Sequence, residues 1–311
     1  MTKLVAIVGA TGTQGGSVLK SLHADGGYKL RALTRDPSSD AARSLAVKYP
    51  GVEWVAADLN DLESLVSAFS GADVVFGVTN FLQPDILTKV AAGDFDAEFN
   101  QGKAIVDAAI EAGVGAVVWS SLDSASKLSG GKLTRVLHFD GKHRVEEYLL
   151  SKEDQISGFI IRVGFYMENF ASFARISPED GTTVEFTLPI SPDAELPLVD
   201  AAEDTGPVVR HILANPAEYV GVPVMVSARY YKAQELADAF TKVTGRPSRL
   251  AGLGYASLGS EELAEMCELF DTFGCFGGRT DFIKANKKIG HSFTTPVEYW
   301  QRRGWRGPTQ A

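Results

Sequence analysis

Basic charge is the first thing this 311-residue chain lacks: 30 Lys and Arg stand against 39 Asp and Glu, for a formal net charge of -9. Non-specific nucleic-acid binding needs a basic footprint, so that class is disfavoured, whereas a protein partner is not. Cysteine is scarce as well. Cys267 and Cys275, the only two, stand eight apart, which fits no common zinc or thioredoxin-type spacing. The expectation is a pair of reduced core thiols and no metal. No apolar run is long enough to cross a membrane, and the run after Met1-Thr2-Lys3 is too short for a signal peptide. Internal repeats and low-complexity tracts are missing too. What remains is 45% hydrophobic and 22% charged, enough to bury a substantial core. The length suits one large α/β unit or two domains sharing a cleft. A soluble, cytoplasmic protein is expected.

The stretch on which the chain turns is Gly9-Ala10-Thr11-Gly12-Thr13-Gln14-Gly15. Before it, Leu4-Val5-Ala6-Ile7-Val8 is short, β-branched and apolar on both faces, as a buried parallel strand should be. After it, Val18, Leu19 and Leu22 fall at helical spacing. Gly9 permits a sharp turn, Gly12 lets a pyrophosphate approach the backbone, and Gly15 lets the helix pack close to the sheet. The helix N-terminus adds free N–H groups and the positive end of a dipole.

Tyr28 to Thr34 reads as a second strand ending on Arg35-Asp36-Pro37. An NAD site places an acid there; Arg35 instead suits a 2′-phosphate, with Ser38 and Ser39 as added hydroxyls. The other reading pairs Arg35 with Asp36 on the surface. Val52 to Ala57 is a third strand, after which Asp58 either accepts a bond from adenine or helps cap the helix Leu62–Phe69. A fourth strand, Asp73 to Val78, puts Thr79, Asn80 and Phe81 at its carboxyl end, where ligands bind in open α/β sheets. Phe81 to Phe95 reads as a loop with a helical piece, and Ala97 to Ala112 as a helix stopped by Gly113. Ala116 to Ser120 is a fifth strand and Phe159 to Val163 a sixth. A flexible polar segment, Ser124 to Gly131, precedes a helix on which His138 and Lys142 share a face.

Beyond Gly164 the pattern loosens. Thr183 to Leu188 alternates like an exposed strand, Val199 to Leu213 reads as a helix containing Pro207, and Val222 to Ser227 as another strand. Lys232 to Thr244 is amphipathic; Glu261 to Phe273 carries Leu263, Met266 and Phe270 on its apolar face. The expected architecture is α/β: a Rossmann-type doubly wound parallel sheet with a smaller α+β lid domain. Residues 1–164 form the dinucleotide domain and 165–311 the lid, with roughly 196–228 returning to the first. Phe81, Phe165, Phe170 and Phe173 are either apolar pocket walls or lid core.

These residues resemble the NmrA-like family, an atypical branch of the short-chain dehydrogenase/reductases. The resemblance is carried by Gly9 through Val18, Thr34-Arg35-Asp36-Pro37 and Val78-Thr79-Asn80. His138-Phe139-Asp140-Gly141-Lys142 with Val145 to Tyr148, and Tyr166-Met167-Glu168-Asn169, add to it. It is strongest toward the NADPH-sensing redox sensor subgroup. It implies NADP(H) as cofactor, with Gly9 to Gln14 on the pyrophosphate and Arg35, Asp36, Pro37, Ser38 and Ser39 around the 2′-phosphate. Asp58 and Leu59 would flank adenine, and Thr79, Asn80 and Phe81 would line the nicotinamide side. Lys142 would bond the nicotinamide ribose, and Tyr166, Met167, Glu168 and Asn169 would close the far end.

Classical members of that superfamily use Tyr-x-x-x-Lys, in which the tyrosine moves the proton. The spacing survives here, but His138 holds the tyrosine position. Imidazole can donate a proton near neutral pH; equally, His138 could be a helix residue pointing into the lid interface. Two functions stand open. In one, NADP(H) biases the lid or a homodimer between two states, and a protein partner reads the result, in the cytoplasm or the nucleus. In the other, the chain is an NADPH-dependent reductase of a small apolar or aromatic substrate, a carbonyl, quinone or imine. Lys142 is then the key group and His138 or Tyr166 the proton donor. A DNA-binding regulator is disfavoured by the acidic charge.

Overall fold

A computed structural model describes residues 2–252, 254–255 and 259–309. The chain opens with β1 (Lys3–Ile7), α1 (Thr13–Asp25), β2 (Tyr28–Thr34), α2 (Asp40–Lys48), β3 (Glu53–Ala56) and α3 (Leu62–Phe69). It continues through β4 (Val74–Gly77), α4 (Pro84–Ala91), α5 (Ala97–Glu111), β5 (Ala116–Ser121), α6 (Ala125–Leu128), α7 (Leu137–Leu150) and β6 (Ser157–Val163). Shorter elements follow: β7 (Phe165–Tyr166), α8 (Glu168–Ser172), β8 (Ala174–Ile176), β9 (Val184–Phe186), β10 (Glu195–Leu196) and β11 (Leu198–Val199). Then come α9 (Ala201–Ala214), α10 (Pro216–Tyr219), β12 (Pro223–Val226), β13 (Tyr231–Lys232), α11 (Ala233–Thr244) and β14 (Ser248–Leu250). The last helices are α12 (Glu261–Thr272), α13 (Asp281–Ala285) and α14 (Pro296–Arg303). None of the described helices is long and apolar enough to cross a membrane.

The seven-stranded sheet runs β12-β6-β5-β4-β1-β2-β3, and every pairing from β1 to β6 is parallel. The order reverses between β1 and β4, so a crevice opens at their carboxyl ends. β4 and β5 are buried along their whole length, which is why they read as continuous apolar runs. Trp119 of β5 is fully buried and fills the room that two glycines leave. A Cβ on Gly77 would lie 3.1 Å from its ring, and one on Gly102 would lie 2.9 Å from the ring and 2.5 Å from Val145.

Two compact units emerge. The first comprises Met1–Leu122, His138–Arg162 and Thr205–Val224; the second comprises Asp123–Leu137, Val163–Asp204 and Met225–Ala311. The chain thus leaves the first unit and returns to it twice. Where α9 returns, the Gly206 N–H donates to Ser17 Oγ at 2.9 Å, and a Cβ on Gly206 would stand 2.1 Å from the Ser17 carbonyl oxygen.

Within the second unit, two expectations need correction. Ser124 to Gly131 holds a helical turn, α6, capped by Ser124 Oγ accepting from the Lys127 N–H at 3.1 Å. Short hydroxyl side chains supply the local bonds that polar composition alone suggested would be missing. The segment around β9 is not exposed: Val184, Glu185 and Phe186 are all buried at the centre of the sheet β14-β9-β8. Phe186 stacks on Trp300 at 5.9 Å, and Phe240 meets Trp300 edge-on at 5.2 Å. The Glu185 carboxylate accepts from Arg249 at 2.7 Å, Arg175 at 2.9 Å and Ser177 Oγ at 3.0 Å. On α12 the buried positions are Cys267, Leu269 and Phe270, with Leu263 and Met266 half-buried.

The Arg249 guanidinium, followed by Arg175, holds the Glu185 carboxyl below its ordinary value of 4.5. A carboxyl depressed in the folded state contributes stability above its unfolded value, and loses it as pH falls through the folded one. Glu185→Gln is therefore expected to unfold at lower temperature at pH 7, with the gap to the parent closing below pH 4.5. Thermal melts across that range check it; a gap independent of pH would remove the electrostatic account.

Candidate functional site

The crevice is floored by the turn after β1. Gly9 has φ 64°, a conformation that side chains resist, and its carbonyl accepts from the Gly12 N–H at 2.8 Å. Gly12 is the N-cap of α1 and offers no side chain to cap it, and no acid lies in the helix's first turn. A Cβ on Gly15 would stand 2.3 Å from the Gly9 carbonyl oxygen and 2.7 Å from that of Val8. Glycine alone lets α1 close on the strand end. Ala10 is buried beneath the turn, while Thr11, Gly12 and Thr13 are exposed at its rim. The result is a helix N-terminus with a glycine N-cap at a sheet switch point, a natural seat for a pyrophosphate. Gln14 Oε1 accepts from Ser120 Oγ at 2.6 Å, tying α1 to the end of β5.

At the end of β2, Arg35 is exposed and its guanidinium donates to Gln83 Oε1 at 3.0 Å. The Asp36 carboxylate instead receives the Ser38 hydroxyl at 2.6 Å and the Ser38 N–H at 2.8 Å, which hold it below the ordinary carboxylate range. Ser39 caps α2 by accepting from the Ala42 N–H, after Pro37 has turned the chain. After β3, the Asp58 carboxylate closes a turn onto Asn60 and leaves the capping of α3 to Asp61. Leu59 packs half-buried against the core. The Asn60 side chain is itself a hub, accepting from Lys89 Nζ at 2.8 Å and donating to Asp85 at 3.3 Å. Gln83, Asp85 and Lys89 together draw α4 toward the ends of β2 and β3. Sequence reading missed Gln83; its polarity just before Pro84 was the available signal.

Beyond β4, Asn80 Oδ1 accepts from the Leu82 N–H at 3.0 Å, and the Thr79 hydroxyl donates to Glu98 Oε1 at 2.9 Å. The same Glu98 oxygen binds the Lys142 ammonium. Glu98 is 3% exposed and Lys142 8%, so the pair is buried between α5 and α7. The Lys142 carbonyl accepts from Trp119 Nε1 at 3.0 Å and Ser121 Oγ at 3.4 Å, anchoring α7 to β5. His138, one turn earlier, is half-buried, with its ring 5.6 Å from that of Phe81 and 4.8 Å from that of Phe139. Thus Thr79 and Lys142 meet at the Glu98 carboxylate, which the sequence does not single out, and Phe81 and His138 pack on each other in the same unit.

Tyr166, Met167, Glu168 and Asn169 belong to the second unit. Tyr166 pairs with Val199 across β7 and β11, and the Met167 N–H donates to the Val199 carbonyl at 2.9 Å. The Met167 side chain is fully buried, and burial pushes the Glu168 carboxyl up. Phe165 and Phe170 meet edge-on at 6.0 Å, and Phe170 lies 5.7 Å from Phe186, in the unit's aromatic core. Of the two roles open to Phe170, core is the one it fills. Cys267 and Cys275 are buried and free, with burial pushing the Cys267 thiol up to about 12. A cavity of about 340 Å³ in this unit is lined by Pro189, Ile190, Pro192, Tyr255 and Asp271 among others, and by none of the predicted site residues.

The model of the NmrA-like family matches residues 1–299. An NmrA-like family domain-containing oxidoreductase of Penicillium ochrochloron, ptmS, is 33% identical over 263 residues, covering 79% of this chain and 75% of that protein. Among solved structures, NmrA, a negative transcriptional regulator in complex with NADP, is similar with a TM-score of 0.79. It is 24% identical and the match covers 97% of this chain and 95% of that one. An NADPH-dependent quinone oxidoreductase of Escherichia coli, complexed with NADPH, gives a TM-score of 0.72 at 24% identity, over 96% and 99% of the two chains. At that identity the structures establish the shared fold.

Proposed function

The chain belongs to the NmrA-like family, and from that premise we propose that it binds NADP(H) in its first unit and acts as a redox sensor read by a protein partner. The Gly9 turn and the Gly12 N-cap, onto which Gly15 lets α1 close at the end of β1, support a dinucleotide here. Gly9 to Gln14 would hold the pyrophosphate, and Arg35 the 2′-phosphate. Asp58 and Leu59 would flank adenine; Thr79, Asn80, Phe81 and Lys142 would meet the nicotinamide half. When bound, the reduced cofactor supplies a hydride.

The observation that carries the sensor reading is the state of α7. Lys142 is kept with its ammonium already bound by a buried carboxylate, while the place of the usual acid holds His138, packed on Phe81 and Phe139. This arrangement holds a cofactor better than it moves a proton. Sensing then requires that NADPH and NADP⁺, or bound and free dinucleotide, favour two states of the chain with different affinity.

A second reading, an NADPH-dependent reductase of an apolar carbonyl, quinone or imine, is favoured by the oxidoreductase names of the relatives. Purified protein assayed for NADPH oxidation against a panel of such substrates decides, with Lys142→Ala alongside. Tight, NADP(H)-selective binding without turnover is expected. Turnover lost in Lys142→Ala, while NADPH still binds, would replace the sensor with the reductase.

A further inference from the structure

We propose that Glu98 is the positioning residue for Lys142, and that Lys142 engages the nicotinamide half of the dinucleotide only while the Glu98 carboxylate holds its ammonium. The inference rests on the reading that the first unit binds NADP(H). Three rigid elements meet at this carboxylate. Glu98 stands in the first turn of α5, and its Oε1 collects the Lys142 ammonium from α7 and the Thr79 hydroxyl from the end of β4. The backbone of Lys142 is fixed independently, through its carbonyl, by Trp119 and Ser121 of β5. What is left free is the lysine side chain, and Glu98 decides where its ammonium sits.

Charge makes the dependence strict. A buried ammonium or carboxylate is tolerated when paired, and removing one partner leaves the other uncompensated. The other charges nearby are engaged elsewhere: Asp96 with Arg144, and Glu146 with Arg162. Glu98 Oε2 is buried and, among the described residues, has no hydrogen-bond partner. A Cβ on Gly141 of α7 would lie 3.8 Å from that oxygen, an ordinary contact. Loss of either member leaves the other as a buried charge whose ion partner is gone.

Two substitutions separate charge from packing. Glu98→Gln keeps the shape and removes the charge; Glu98→Asp keeps the charge and shortens the arm. In the full chain, titrated with NADPH and read by fluorescence of the bound reduced nicotinamide, Glu98→Gln is expected to weaken binding about tenfold or more, and Glu98→Asp less than that. The double variant Glu98→Gln/Lys142→Met removes both charges and so guards against misfolding. In the Lys142→Met background, Glu98→Gln is expected to change affinity by less than about twofold. Binding weaker for Asp than for Gln would assign Glu98 to packing and overturn the proposal. So would an equal cost of Glu98→Gln in both backgrounds. A parent chain that does not bind NADPH would instead bring down the reading beneath it, and the proposal with it.

Discussion

Gly15→Ala is expected to abolish measurable NADPH binding and to destabilise the chain by roughly 2–3 kcal/mol. The new methyl group would start 2.3 Å from one backbone oxygen and 2.6 Å from its carbon, where no side chain can yield. Either α1 moves away from β1 or the Gly9 turn opens, and both destroy the seat of the pyrophosphate. Gly16→Ala, one residue along, is the control. Its Cβ would lie 3.5 Å from the Ala10 carbonyl oxygen, an ordinary contact, and alanine favours a helix by up to about 1 kcal/mol. Equilibrium binding and thermal melts of the two variants test the contrast. Equal behaviour would mean that the close approach of α1 to β1 is not what builds the site.

Arg35→Ala is expected to weaken NADPH binding by about 30- to 100-fold and NADH binding by no more than a few-fold, since charge-assisted bonds to a phosphate are worth about 2–3 kcal/mol. The guanidinium is exposed at the end of β2, free of the neighbouring Asp36 carboxylate, and steadied by a single amide oxygen of Gln83. A neutral amide orients the fork without neutralising it. A 2′-phosphate would find the positive charge available. Side-by-side titrations with the two reduced dinucleotides measure the ratio; equal losses for both would sink the NADP(H) preference.

The first half of the fold was legible because its strands are buried on both faces and its turns are marked by glycine. Leu4 to Val8, Asp73 to Val78 and Ala116 to Ser120 announce themselves as apolar runs, each within two residues of the observed strand. The second half was harder for a physical reason. β7, β10, β11 and β13 are two residues long, too short for any alternation to register. Glu185 looked like the polar half of an exposed strand because its burial depends on Arg175 and on Arg249, the latter 64 residues away in sequence. Glu98 escaped notice for the same reason. An acid in the first turn of a helix reads as a favourable dipole partner, and only the fold brings Lys142, 44 residues on, against it. The available clue was that a lysine expected to sit at a strand-end crevice needs a counter-charge once buried.

Trp119 gives the molecule an optical gauge. Its indole is sealed from solvent, seated over Gly77 and Gly102, and hydrogen-bonded to the carbonyl of Lys142 itself. Loosening α7 from β5 would break that bond and change the polarity around the ring, and indole emission shifts in colour with both. With phenylalanine at Trp54, Trp300 and Trp305, the remaining emitter would sit on the backbone of the lysine whose position matters most. Reduced nicotinamide absorbs where tryptophan emits, so quenching of the same light would register the cofactor's arrival. One side chain would report both whether the seat is taken and whether the helix beside it has moved.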